Sequence, residues 1–92
     1  MSNPETRIEQ AFARWCSRNG HRCVKLIAAG QSGFPDRTVF TSDGRIVFLE
    51  FKQPDGRLSK QQVQWAAFLG RHWPVYVVTS VEEAKEAITG QG

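Results

Sequence analysis

Near the start of the chain apolar residues recur at helical spacing, at Ile8, Ala11, Phe12, Trp15 and Cys16, and make one face of a helix. Asn3-Pro4-Glu5 supplies its start: a capping side chain, a proline whose φ is already helical, and an acid in the first turn. Asn19-Gly20 stops it through a left-handed cap. Arg22 to Ile27 alternates roughly as a strand, and residues 28–35, with two glycines and a proline, read as a loop. A second strand starts near Asp36 and runs through Val39 and Phe40. Ser42-Asp43-Gly44 is a tight-turn signal that hairpins it onto a third strand, Arg45 to about Gln53. Both faces of that third strand are hydrophobic until Glu50, which marks a central strand covered on two sides.

Gln53-Pro54-Asp55-Gly56 turns the chain into a second helix. Ser59 and Gln62 form a capping box across which Leu58 and Val63 can staple, and Gln62, Trp65, Ala66 and Leu69 make the inward face. Pro74 to Thr79 is the last strand, and Ser80 with Glu83 opens a short helix ending near Gly90. The pattern predicts an α/β fold in the order αβββαβ plus a short C-terminal helix, as one domain over residues 1–92 without repeats or linkers.

Composition narrows the function classes. With 40% hydrophobic and 23% charged residues the chain reads as a globular domain, and its longest apolar stretches are only strand length. No apolar leader follows a basic start, so the expected location is intracellular. Cys16 and Cys23 are expected as two buried thiols, and with His21 and His72 they do not make zinc-ligand spacing. The loop from Gly30 to Phe34 lacks the pattern of a nucleotide-phosphate loop, so no nucleotide cofactor is expected. A net charge of +3 points weakly to a polyanionic partner.

The chemistry lies at the end of the third strand. Ile46, Phe48, Glu50 and Lys52 share one face, so an apolar strand abruptly presents an acid and a lysine roughly 7 Å apart. Gly33-Phe34-Pro35 delivers Asp36 to the start of the second strand. Counting out from the turn at Asp43-Gly44, Asp36 falls opposite about residue 51, beside Glu50 and Lys52. Two carboxylates and an ammonium converging there form a hard-oxygen site suited to Mg²⁺ or Mn²⁺, with the main-chain carbonyl of Phe51 as a further donor. That set fits phosphodiester hydrolysis, in which a bound ion polarises the phosphate and a lysine orients water and offsets charge. Lys25, Arg37, Arg57 and Lys60 flank this end in the layout and suggest a phosphate track.

Gly33-Phe34-Pro35-Asp36, then Glu50-Phe51-Lys52, then Leu58-Ser59-x-x-Gln62 resemble the PD-(D/E)xK nuclease signature, in particular its VRR-NUC branch, the virus-type replication-repair nuclease domain. The similarity runs from Ile8-Glu9 to the closing Pro-Val-Tyr-Val-Val and Ser-x-Glu-Glu. The Val-Arg-Arg tripeptide behind the name is absent, its place reading Phe51-Lys52-Gln53. The resemblance implies a restriction-endonuclease-like core, a mixed sheet flanked by helices. It implies metal ligation by Asp36 and Glu50, catalysis through Lys52, Glu9 completing the acidic cluster, and Gln62 lining the site. Stand-alone relatives of this size are expected to be phage or bacterial proteins acting on DNA, as dimers on branched structures such as four-way junctions. Glu5 is the alternative helix acid, and Gln62 has a second occupation in its capping box. The rival functions are a non-catalytic DNA-binding module and a subunit of a repair complex, with Trp15, Trp65 and Trp73 as interface anchors. A homodimer is expected independently, because so small a catalytic domain has no separate DNA-binding element.

Overall fold

The elements follow the expected order: α1 (Pro4–Arg18), β1 (Arg22–Val24), β2 (Arg37–Phe40), β3 (Ile46–Phe51), α2 (Lys60–Leu69), β4 (Val75–Val78) and α3 (Val81–Thr89). They are those of a computed structural model that describes residues 3–26 and 32–90. The first half of the loop expected over 28–35, residues 28–31, and Ile27 at the end of the expected first strand lie outside the described residues.

Local chemistry sets the helix ends. The Asn3 side chain accepts the Thr6 N–H at 2.7 Å, Pro4 takes the first helical position, and Gly20 adopts φ +80° beyond the last turn of α1. The capping box of α2 is complete, with Gln62 N–H donating to Ser59 Oγ and Ser59 N–H donating to Gln62 Oε1. Ser80 caps α3 on Glu83 N–H, and Gly90 ends it at φ +76°.

The strands form one mixed sheet in the order β1-β2-β3-β4, with β1, β2 and β3 antiparallel and β4 parallel to β3. The central place of β3 explains its apolar run. Val47, Leu49 and Phe51 enter the main core with Phe12 and Cys16 of α1 and Ala84 and Ile88 of α3. Phe48, on the opposite face, meets Phe34 and Trp73 edge-on, and Phe34 in turn meets Trp65 of α2. Helices α1 and α3 thus cover one face, while α2 reaches the other through an aromatic bridge.

Two expected boundaries shift. The first strand ends at Val24, and the third ends at Phe51 rather than Gln53. The Lys52 N–H nevertheless still donates to Val78 O at 3.0 Å, so the backbone stays extended to the lysine. The hairpin is closed by side chains as well as by its turn: Thr41 Oγ1 accepts the Arg45 N–H, and Arg45 Nη2 donates to Ile88 O, which ties the turn to the end of α3.

Candidate active site

The register places Phe40 opposite Ile46 and Arg37 opposite Leu49, so continuing it sets Asp36 opposite Glu50, one residue nearer the turn than the sequence count. Asp36 Oδ2 accepts the Phe51 N–H at 2.8 Å. Even-numbered residues of β3 turn their backbone groups to β4, as Phe48 and Lys52 do to Pro74 and Val78. Phe51 therefore turns both its N–H and its carbonyl toward the Asp36 side. The carbonyl named as a further oxygen donor lies on the same edge as the two acids.

Glu50 is buried at the end of β3. Its carboxyl is pushed up to about 8, first by burial, then by the hydrogen bond and like charge of Asp36; Lys52 opposes this and Glu9 adds to it slightly. The turn that follows runs close to the lysine stem. Gly56 N–H donates to Gln53 O, and a Cβ on Gly56 would stand 3.4 Å from Lys52 Cδ. Asp36, Glu50 and Lys52 are thereby brought together on the sheet face toward α2, as the alternation of strand three requires.

Asp36 is held from below by Gly33, which sits at φ +95° against the first turn of α2. A Cβ there would come within 2.6 Å of the Gln61 backbone carbon. The glycine lets the segment before Asp36 press on α2, and Pro35 is buried behind it. Both the positive φ and the close approach of Gln61 call for a glycine at this position.

Glu9 stands elsewhere. It is buried on α1, where Arg37 Nε donates to its Oε1 at 2.6 Å and Lys25 Nζ lies 3.6 Å away. Arg37 alternates with Asp36 and belongs to the face of Val39 and Leu49, under α1. By this alternation Glu9 pairs on the α1 face while Asp36 and Glu50 belong to the other, although the Glu9 charge still acts on Glu50; among the described residues no group of three metal-ligating side chains forms. Arg37, expected on a phosphate track, has a side chain only 16% exposed and an internal partner. Its parity in β2 carried that signal, but the identity of the partner depended on how α1 packs. Lys25, Arg57 and Lys60 are exposed. Gln62 is occupied by its cap, and Glu5 is half-buried near the start of α1.

The two thiols are free; Cys16 is buried in the core and Cys23 half-buried against it. The hydrogen bond with Cys23, and then burial, push the Cys16 thiol far up, while the same hydrogen bond lowers the thiol of Cys23. No helix among the described residues is long and apolar enough to cross a membrane.

A family model described as the VRR-NUC domain matches residues 3–82. A solved structure described as a VRR-NUC domain is 27% identical and superposes with a TM-score of 0.82, covering 96% of this chain and 97% of that one. No curated protein matches the chain.

Proposed function

Since the chain belongs to the VRR-NUC family of nuclease domains, we propose that it is a divalent-metal-dependent DNA endonuclease acting on branched DNA such as four-way junctions. The observation that carries this reading is the pairing of the Asp36 and Glu50 carboxyls beside Lys52 at the end of β3. One ammonium does not balance two carboxylates in a buried place, and every donor on that edge is a hard oxygen, so the residues fit Mg²⁺ or Mn²⁺. Asp36, Glu50 and the Phe51 carbonyl would hold the ion. When bound, such an ion supplies a Lewis acid for the phosphate and acidifies a water.

The chain's own groups supply the rest. Lys52 holds the attacking water by hydrogen bonding and offsets charge on the phosphate oxygens. Asp36, anchored on the Phe51 N–H through Oδ2, is held beside the Glu50 carboxyl. Glu9 and Arg37 lock α1 to β2 at the residue next to Asp36, and Gln62 acts by fixing the start of α2, on which Gly33 rests. Lys25, Arg57 and Lys60 supply phosphate contacts.

The test is cleavage of a labelled four-way junction, flap, duplex and single strand by wild type, Glu50→Ala and Lys52→Ala, with Mg²⁺, Mn²⁺ or EDTA. Cleavage that needs the ion and falls roughly 10²-fold or more in either variant is expected. DNA bound by the folded protein but never cut under any condition would leave a non-catalytic binding module.

A further inference from the structure

Between Asp55 and Glu82 the chain has no acid at all, while it carries Arg57, Lys60 and Arg71. This stretch contains α2 and β4. Within α2 no charged residue follows Lys60, yet the helix buries only Leu69 fully. Phe68 is 55% exposed and Trp73, just past the helix, is 39% exposed. The Arg71 guanidinium lies over the Phe68 ring, 5.6 Å from its centroid.

These groups are on the site's own side of the sheet. Trp73 meets Phe48, with ring centroids 6.0 Å apart, and Phe48 shares its face with Glu50, two residues along β3. Phe34, three residues before Pro35-Asp36-Arg37 ends, joins the same layer through Trp65, which meets Phe68 edge-on. An aromatic layer thus runs outward from the face bearing the carboxylates and ends in an exposed ring under a planar cation.

We infer that Phe68, Arg71 and Trp73 form a stacking subsite for unpaired bases of the DNA strand bound at Asp36 and Glu50. The inference rests on the nuclease reading and supplies its specificity device. A duplex keeps its bases stacked on each other and offers this surface only its phosphates, whereas a flap or an opened junction offers π-faces. An exposed ring with a cation, on a stretch of chain free of acids, suits that ligand: the ring takes the base, the guanidinium takes the phosphate or a second base. The chemistry is tolerant of sequence, because every base has a π-face.

The experiment is anisotropy binding in EDTA, where no cleavage intervenes, of a labelled single strand, a flap and a blunt duplex of matched length, over a series of salt concentrations. Phe68→Ala is expected to weaken single-strand and flap binding roughly 5- to 100-fold with little change on the duplex and an unchanged salt slope. Phe68→Trp should restore it, and Phe68→Leu, which keeps apolar area without a π-face, should not. Arg71→Ala should lower the salt slope by about one on every substrate. Equal losses on duplex and single strand, or no loss, would overturn the inference. So would a Phe68→Ala protein whose mass by light scattering changes while its DNA affinity does not, since the face would then be an interface between copies. Because binding is read apart from cutting, a protein that cleaves nothing yet shows the Phe68 pattern refutes the nuclease and keeps the subsite.

Discussion

Glu50 sits buried beside a second carboxyl with one ammonium for compensation, so its charged form is the costly one. Its folded value of about 8 lies above the ordinary 4.5. Between those two values the folded protein holds a proton that the unfolded chain has released. Stability from this group is therefore full below about pH 4.5 and is lost as the pH climbs through 8. In EDTA the melting temperature is expected to fall over that window, by a free energy on the order of a few kcal/mol. Glu50→Gln should flatten the dependence, and Mg²⁺ or Mn²⁺ should raise the wild-type melting point most at the alkaline end. A second residue-scale prediction concerns Gly33. Its φ of +95° and the Gln61 backbone 2.6 Å from any Cβ make Gly33→Ala costly, by about 2 kcal/mol or more in urea unfolding. The acid-acid-lysine set was legible because strand alternation and hairpin counting are local rules. The Glu9–Arg37 pair was not, since it joins positions 28 residues apart through the packing of α1 on the sheet.

At the scale of elements, the caps and turns carry the organisation, and they are written in short motifs. Asn3-Pro4, Ser59-x-x-Gln62 and Ser80 each make the bond that their type and spacing imply. Strand ends were less legible: Val24 ends β1 because pairing with β2 stops at Thr38, which the alternation of Lys25 and Leu26 does not reveal. The exposure of α2 was also hidden, because its apolar residues look like a core face until the thinness of the layer beneath is known. Gln62 gives the discriminating variant for this element. Glu at the third position of a capping box accepts the same Ser59 N–H, so Gln62→Glu should leave helix stability within about 0.5 kcal/mol. If Gln62 acts only as a cap, junction cleavage by that variant stays within a few-fold of wild type; a loss of 10²-fold at unchanged melting temperature would move Gln62 into the reaction.

For the molecule as a whole, size sets the constraint. The longest extent is 35 Å, about ten base pairs of duplex at 3.4 Å each. A branched substrate with several arms exceeds that footprint, which is the physical motive for a homodimer. Light scattering at working concentration should return about twice the 10.4 kDa chain mass, and a monomeric mass would remove dimerisation from the account. The small excess of positive charge, +3, is unevenly placed along the chain: the acid-free stretch includes α2 and Trp73, which meets Phe48 on the site's side of the sheet.

The bond from the Phe51 amide to Asp36 has a use beyond architecture. Most amides of a sheet answer to a neighbouring strand, but this one answers to a side chain whose electron density any bound cation would draw away. A weaker acceptor shields the amide proton, so its resonance should drift upfield as Mg²⁺ is added while the amides of Thr38 and Val47 stay put. One peak in a nitrogen-correlated spectrum thereby becomes a gauge of occupancy at the carboxylates, readable on the intact protein before any DNA is present.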